Sequence, residues 1–416
     1  MLGSERKAVA IGVGAAVVEL STVVEQLQRA AARQTFRRIG LSGSIPEQVQ
    51  RAHTSGVHRT LRGVTQLAGY LSGTALEMTA SADAAPIGDS PKGAVTVAAL
   101  DCAFGDSLRA SRSALAFRMS VRVAGRDIPT DRESLARAYP QAAPAVVVFL
   151  HGLGGTESGW GLSDSYGDRL AADLNVSPVQ IRYNSGARIC DNGADLHDLL
   201  DQLTANWPVT VKSLALVGHS MGGLVIRSAC NIATVQRSQW AGLVLNIFYL
   251  AAPHHGAPME RVAHAAITAI GSRAGLAPIA RLMNRRSAGI KDLRHGTLTE
   301  ADLAHGDPDR REVGDHAHIP LLENATHHFI SSTVLPPEYG AISHALGDLL
   351  VQPTSATGSK ASGRRHPFEA VNAYHLVGLH HNALMKSPAV YAVMRGILAS
   401  DADAGNTAKQ ESARRS

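Results

Sequence analysis

Short apolar segments alternate along the chain with stretches of helical periodicity, and this alternation limits the fold more than any other feature. The apolar segments are rich in β-branched residues and have the length of strands that are buried on both faces. They lie at residues 145–150, 178–183, 213–218, 243–250 and 327–334. Strands and helices in alternation predict an α/β architecture, with a mostly parallel sheet and helices on both faces. Ligands of such sheets bind at the carboxyl ends of the strands.

Composition excludes several classes of protein. The chain has 416 residues, of which 45% are hydrophobic and 18% charged, so it can bury one large core or two smaller ones. The formal net charge of +5 is small for this length, and scattered Lys and Arg residues argue against a nucleic-acid partner. Three cysteines without a C-x-x-C pair, and no H-E-x-x-H spacing, indicate neither a disulfide framework nor a metal site. We therefore expect no metal, no cofactor and a reducing, cytoplasmic location.

The chain divides into regions of different composition. Residues 1–80 have helical patterns and predict a helical N-terminal extension, in which the apolar run at 8–18 is too short to span a membrane. Residues 81–93 are rich in Ala, Ser, Asp, Gly and Pro and predict a linker. Residues 94–400 contain the strand–helix alternation and predict the main domain, whereas residues 401–416 are polar and predict a disordered tail.

Local patterns add detail to these regions. Thr22 and Glu25 have capping-box spacing, so a helix of the extension begins either there or at the earlier apolar run. Its apolar face would pack on the main domain or in a bundle, or would make a peripheral contact with a membrane surface or a partner. Alternating apolar residues around a turn at residues 124–127 predict a β-hairpin that leads into the sheet.

The pentapeptide G-H-S-M-G at residues 218–222 marks the junction of a predicted strand with a predicted helix. Glycines permit the sharp turn that lifts Ser220 clear at the top of the sheet. A serine hydroxyl is a poor nucleophile at neutral pH and needs a histidine base, which a carboxylate orients. The Met221 N–H, at the start of the helix, is a predicted donor to an oxyanion. The alternative is a tight turn without catalytic function.

A second oxyanion donor is expected in the loop that follows an earlier strand. The sequence H-G-L-G-G at residues 151–155 follows the first buried segment, and its glycines allow the backbone to approach a substrate. We predict that the Leu153 N–H acts together with that of Met221. The alternative is a glycine-rich turn. For His151 itself we expect a structural role, with a hydrogen bond beneath the loop.

Three motifs together resemble the α/β-hydrolase lipases and esterases. They are VVVFLHGLGG from residue 146, LALVGHSMGGLVIRSA from residue 214 and YLAAPHHGAP from residue 249. With RYNSGARICDNG from residue 182 and RSAGIKDLRHG from residue 286, they are similar more narrowly to bacterial relatives of the GPI inositol deacylases. The resemblance runs from about residue 95 to residue 398 and implies an α/β-hydrolase fold and ester cleavage on lipids.

The order of the triad in this fold places the acid after Ser220 and the histidine later still. The segment L-G-D-L-L-V follows a predicted strand and resembles the G-D-G-[VL]-V segment of such lipases, so we predict that Asp348 is the acid. Leu349 stands where the family usually has Gly. Glu338 and the acidic residues of 305–315 are rival candidates, and a helix or turn cap is the alternative role for Asp348.

The base is expected near the end of the main domain. There the pattern H-x-x-L-[LM]-x-x-P-x-V of similar lipases aligns with His381, which we predict to be the base. The adjacent His380 is the alternative. Two further pairs of adjacent histidines, in a turn and at the start of a buried strand, are expected to be structural: His254/His255 and His327/His328.

These residues predict a serine hydrolase that cleaves carboxylic esters, of lipids or of other small molecules, through an acyl-enzyme on Ser220. Residues 257–323 are predicted to form a helical cap over the site, with plain packing as the alternative. An acyltransferase or thioesterase would use the same acyl-enzyme and remains an alternative. A non-catalytic hydrolase-fold binding protein is a further one, although such proteins commonly lose a triad member and here all three positions are filled.

Overall fold

The computed structural model describes residues 2–11, 85–161, 163–256, 287–304, 319–340, 347–357 and 372–415. The chain forms two compact units, Met1–Ile87 with Ser113–Leu115 and Gly88–Arg112 with Ala116–Ser416. In the first unit, residues 3–11 are helical and the buried Glu5 carboxylate accepts the Ile87 N–H at 2.8 Å. Most of the predicted extension, including Thr22 and Glu25, lies outside the described residues.

The second unit is built on an eight-stranded sheet. Its strands are β1 (Ser120–Val123), β2 (Arg126–Ile128), β3 (Ala145–Leu150), β4 (Ser177–Arg182), β5 (Ser213–His219), β6 (Val244–Leu250), β7 (Thr326–Thr333) and β8 (Ala373–Val377). Their order across the sheet is β2-β1-β4-β3-β5-β6-β7-β8. The strands from β3 onward are parallel, and β1 pairs antiparallel with β2 and β4. The mostly parallel sheet predicted from the sequence is confirmed.

Helices cover both faces of this sheet. They are α1 (Pro91–Ala110), α2 (Arg132–Ala138), α3 (Tyr166–Leu174), α4 (Ile189–Asn206), α5 (Met221–Gln236), α6 (Ala288–His295), α7 (Glu300–Ala304), α8 (Pro353–Thr357) and α9 (Pro388–Arg415). Apolar side chains of α4 and α5 pack in a core on one face, and those of α3 and α9 pack in a core on the other. No helix in the described ranges is long and apolar enough to cross a membrane.

Strand β3 shows why the central strands read as continuous apolar runs. Val146, Val148 and Leu150 belong to the core on one face, and Val147 and Phe149 belong to the core on the opposite face. Successive side chains of a strand point to opposite faces, so a strand covered on both sides needs apolar residues at every position.

The predicted β-hairpin is present, and its turn at Ala124 and Gly125 has φ of 48° and 78°, the paired positive values that match the twist of a two-residue hairpin. Other elements differ from the sequence-based expectations. Helix α1 begins at Pro91, inside the predicted linker, because Ser90 caps it by accepting the Gly93 N–H at 3.1 Å. Helix α9 continues to Arg415 through the predicted disordered tail, where several Ala, Lys, Gln and Glu residues have strong helix propensity. Strand β8 was not predicted.

Candidate active site

Ser220 lies on the sharp turn between β5 and α5. Its φ of 53° and ψ of −122° form a conformation that non-glycine residues rarely adopt. The Ser220 N–H donates to the carbonyl oxygen of Leu250, at the end of β6, at 2.8 Å, which ties the turn to the sheet. The turn therefore places the serine at the carboxyl ends of the central strands, as the G-x-S-x-G motif predicts.

The glycines beside Ser220 permit two close approaches of backbone to backbone. A Cβ atom at Gly222 would lie 2.6 Å from the carbonyl oxygen of His151, and one at Gly218 would lie 2.6 Å from Gly223 Cα. Both distances are too short for a real side chain. Helix α5 can therefore begin directly against the loop after β3 only because these positions are glycine.

Asp348 and His381 are joined by two hydrogen bonds. His381 Nδ1 lies 2.7 Å from Asp348 Oδ2, and the His381 N–H donates to the Asp348 carbonyl oxygen at 3.0 Å. Asp348 Oδ1 accepts the N–H groups of Leu350 and Val351 at 2.9 and 2.7 Å. Because the carboxylate holds the proton on Nδ1, Nε2 remains as the basic nitrogen of the imidazole.

The surroundings of Asp348 keep its carboxyl group ionised. Burial by itself raises the pKa of this group, but the charge of His381, its hydrogen bond and the two backbone N–H groups together bring the pKa below its ordinary value. A carboxylate that stays charged can orient and stabilise a protonated imidazole.

The departure from the lipase pattern at Leu349 has a visible backbone consequence. Leu349 has a φ of 82°, in the left-handed region that favours glycine, and its side chain is exposed. The glycine of the family pattern fits this conformation without strain. In this chain the leucine adopts it, and the Asp348 carboxylate still reaches His381.

Ser220 and His381 line the same cleft. The described contacts include no hydrogen bond between the two side chains, a common state of unliganded catalytic pairs, which tighten when substrate binds. His219 lies against His381, with 4.5 Å between the ring centroids, and its Nε2–H donates to the His381 carbonyl oxygen at 3.2 Å. Burial, with the charge of His381 adding to it, lowers the pKa of His219 to about 3, so this ring stays neutral. The sequence analysis assigned no role to His219. Its position next to Ser220 in the motif was the one sequence feature that could have pointed to it.

The loop after β3 passes beside the serine. A Cβ atom at Gly152 would lie 3.0 Å from Ser220 Cβ, so the two backbones are in close contact. Leu153 lines the cleft, and within the described part of the chain neither its N–H nor that of Met221 donates a hydrogen bond. Two unused N–H groups next to a serine hydroxyl are the arrangement that an oxyanion hole requires.

The cleft has a volume of about 740 Å³ and a mixed lining. One part of the lining is apolar: Val95, Leu153, Leu293, Leu350, Leu379 and Met385. Another part carries polar groups: Thr156, Ser158, Asn382 and Lys386. Leu293 belongs to α6, inside the predicted cap, of which residues 257–286 and 305–318 lie outside the described ranges.

The rival acids and bases lie elsewhere or in different surroundings. His380 also lines the cleft, but it is exposed, and the hydrogen bond to Asp348 is made by His381. Glu338 is exposed in the turn after β7, and residues 305–315 are not among those described.

His254 packs edge-on against Tyr249, and His328 stacks on Phe248 with 4.7 Å between centroids. Among the described side chains, no group of three or more His, Cys, Asp and Glu residues could hold a metal ion.

Comparison with known proteins agrees with this architecture. Residues 194–305, about a quarter of the chain, match the family model of the PGAP1-like alpha/beta domain. The chain has the mostly parallel, helix-covered sheet of an α/β-hydrolase fold. The matched segment contains most of α4, the turn at Ser220 and helices α5, α6 and α7. A comparison with curated proteins gives no match.

Several solved structures are similar to this chain at low identity. The mature form of the Bacillus licheniformis lipase BlEst2 is 19% identical, with 61% of this chain and 91% of that chain covered and a TM-score of 0.41. An esterase from Pyrobaculum calidifontis is 14% identical over 63% of this chain and 76% of that chain, with a TM-score of 0.36. Naproxen esterase (carboxylesterase NP) from Bacillus subtilis is 14% identical over 61% of this chain and 83% of that chain, with a TM-score of 0.32.

Proposed function

We propose that the protein is a serine hydrolase that cleaves carboxylic esters through an acyl-enzyme on Ser220. One observation carries the proposal: the strained Ser220 turn and His381, which is hydrogen-bonded to Asp348, meet in one cleft. The hydrolase fold and the lipase-like motifs support the same reaction class.

The first half of the reaction acylates the serine. Ser220 Oγ attacks the ester carbonyl carbon while His381 Nε2 takes the hydroxyl proton. The carbonyl electron pair moves to oxygen, and the resulting oxyanion accepts hydrogen bonds from the N–H groups of Leu153 and Met221. The ester C–O bond then breaks, His381 returns its proton to the leaving alcohol, and the acyl group stays on Ser220.

The second half releases the acyl group to water. A water molecule loses a proton to His381 and attacks the acyl carbon, and the oxyanion forms again at the same two N–H groups. When this intermediate collapses, Ser220 Oγ leaves and recovers the proton from His381, which frees a carboxylic acid. Throughout, Asp348 holds the imidazole in one tautomer and stabilises its charged form.

The cleft supports an acyl ester as the substrate, including the acyl esters of lipids. Its apolar wall suits an acyl chain, and its volume of about 740 Å³ falls in the range of small-molecule binding sites. A short soluble ester and a lipid ester share the reacting carbonyl group, so the length of the acyl chain is the property that distinguishes them.

Activity on p-nitrophenyl esters of increasing acyl length tests the proposal. We expect Ser220→Ala to lower kcat by more than about 10³-fold, because the nucleophile is lost. Ser228→Ala is a matched control in helix α5, which begins at the residue after Ser220: the buried Ser228 hydroxyl donates to the Leu298 carbonyl oxygen at 2.7 Å. Equal activity of Ser220→Ala and the wild type would contradict the proposal. Faster product release with an added alcohol or amine would favour acyl transfer.

We also propose that the N-terminal region makes a peripheral contact with membranes and that the protein is cytoplasmic. The apolar faces predicted for residues 1–80 and the three free, buried cysteines Cys102, Cys190 and Cys230 support these two statements. Sedimentation of the full chain with liposomes tests the contact. A full chain that stays in the supernatant at every liposome concentration would contradict it.

A further inference from the structure

The segment from Arg182, the last residue of β4, to Ser185 belongs to a motif to which the proposed mechanism assigns no role. Three of its four residues contact the loop at 151–157, which carries the Leu153 N–H. Arg182, Tyr183 and Ser185 are themselves buried, so water competes little for their hydrogen bonds.

Tyr183 holds the start of the loop through His151. The Tyr183 N–H donates to His151 Nε2 at 3.2 Å, and the Tyr183 hydroxyl donates to the His151 carbonyl oxygen at 2.8 Å. Because Nε2 accepts, the ring proton is on Nδ1, which donates to the Gly152 carbonyl oxygen at 2.8 Å. Burial lowers the pKa of His151 to about 4, so this neutral form persists at physiological pH. The two rings also stack with 4.3 Å between their centroids.

Ser185 holds the middle of the loop directly. Its Oγ accepts the N–H of Gly154 at 2.8 Å, and the next N–H, of Gly155, donates to the Gly152 carbonyl oxygen at 3.1 Å. Gly154 has a φ of 65°, a conformation in which the glycine backbone has many alternatives. The bond to Ser185 therefore selects one conformation of the residue that follows Leu153.

The end of the loop is held by a buried ion pair. Arg182 Nε donates to Glu157 Oε2 at 2.6 Å, and Arg122 Nε donates to Glu157 Oε1 at 3.3 Å. Both arginines are almost fully buried. The loop is thus held at its start, middle and end, and the Leu153 N–H is left between these contacts without an acceptor.

We infer that Ser185 and Tyr183 are positioning residues that hold the Leu153 N–H towards the reacting carbonyl oxygen. The inference rests on the proposed function, since it concerns the oxyanion of that reaction. An oxyanion hole lowers the barrier only when its donors are oriented before the charge forms. A loop of glycines cannot supply that order by itself, so it comes from the segment after β4.

Ser185→Ala and Ser177→Ala form a matched pair of variants. Ser177, at the start of β4, is also buried, and its Oγ accepts a backbone N–H, that of Ala143, at 2.8 Å. Each variant loses one hydrogen bond from a backbone N–H to the oxygen of a buried serine, but only Ser185 contacts the oxyanion loop. Comparable losses of thermal stability are expected for both.

The expected kinetic results differ between the two variants. Ser185→Ala should lower kcat on a p-nitrophenyl ester by about 10- to 100-fold with little change in KM, because outright deletion of a donor costs about 10²- to 10³-fold. The acidic limb of its pH profile should be unchanged, since the base is untouched. Ser177→Ala should keep kcat within about threefold of the wild type, because Ser177 lies at the opposite end of β4 from the oxyanion donors. Tyr183→Phe removes only the hydroxyl bond to His151 and should also lower kcat, which provides a second test if Ser185→Ala does not fold.

The failure of this inference differs from the failure of the proposed function. If Ser185→Ala and Tyr183→Phe match Ser177→Ala in kcat while Ser220→Ala is inactive, the positioning role is wrong and the proposed function stands. If the wild type shows no turnover that depends on Ser220, the proposed function is wrong and the positioning role falls with it.

Discussion

At the scale of single residues, the two carboxylate oxygens of Asp348 have different partners. Oδ1 accepts the N–H groups of Leu350 and Val351, and Oδ2 accepts the Nδ1–H of His381. In Asp348→Asn the amide oxygen has to stay with the backbone N–H groups, because an amide nitrogen cannot accept them. The NH₂ group then faces Nδ1, and His381 carries its proton on Nε2, where a base is needed.

We therefore expect Asp348→Asn to lower kcat by about 10⁴-fold, the size of effect that a wrong histidine tautomer produces in serine proteases. The measurement is kcat on a soluble ester, with thermal unfolding to establish that the variant is folded. A folded Asp348→Asn protein with a kcat within tenfold of the wild type would contradict the role of Asp348.

The residues of the site differ in how far the sequence predicts them. Ser220 lies in a local motif whose geometry depends on neighbouring residues, so the sequence alone predicts its turn. Asp348 and His381 were selected by resemblance and chain order, and the structure brings the two together; their catalytic roles stay predictions. His219 and Ser185 were missed because their contacts join parts of the chain that are distant in sequence, which no short motif encodes.

At the scale of elements, helix α1 carries an unusual buried carboxyl group. Asp101 has no exposed surface; its Oδ2 accepts the Phe117 N–H at 3.0 Å, and its Oδ1 has no partner in the described structure. Burial raises the pKa of Asp101 to about 8, although the bond from Phe117 acts in the opposite direction. The folded protein thus holds a proton on Asp101 at neutral pH.

This proton predicts a pH dependence of the free energy of unfolding. The unfolded chain releases it near pH 4 and the folded chain only near pH 8, so stability from Asp101 is greatest below pH 4 and falls as the pH rises to about 8. Asp101→Asn imitates the protonated acid and has no proton to lose. We expect it to be less sensitive to pH between 5 and 8 than the wild type, and more stable than the wild type above about pH 8.

Urea unfolding at pH 5, 7 and 9 measures this difference. Glu133→Gln is the control, because Glu133 is an exposed carboxylate whose ion pair with Arg137 lies on the helix surface. The control should keep the pH dependence of the wild type. The same pH dependence in Asp101→Asn as in the wild type would contradict a protonated Asp101.

Elements buried on both faces were predicted well, since a strand such as β3 needs apolar residues at every position. Strand β8 was not predicted because it is short and its residues alternate between exposed and half-buried positions, so no apolar run marks it. The start of α1 was missed because one capping serine outweighs the linker-like composition around it.

At the scale of the whole molecule, the alternation of segments predicts the parallel sheet, but not its strand order. The strand order depends on how the connections between the strands pack on the sheet. In this chain the order places β5 between β3 and β6. The turn at Ser220 therefore lies beside the loop after β3. Asp348 precedes β8 in the chain and His381 follows it, and their hydrogen bond holds both at the same end of the sheet. The predicted domain boundaries and the cap remain predictions.

Covalent labelling tests the central claim most directly. A fluorophosphonate reacts with an activated serine, so incubation of the full chain followed by intact-mass measurement and peptide mapping locates the nucleophile. We predict a single adduct on Ser220, which is absent in Ser220→Ala and forms far more slowly in His381→Ala. An adduct on another residue, or equal labelling of Ser220→Ala, would contradict the assignment of Ser220 as the nucleophile.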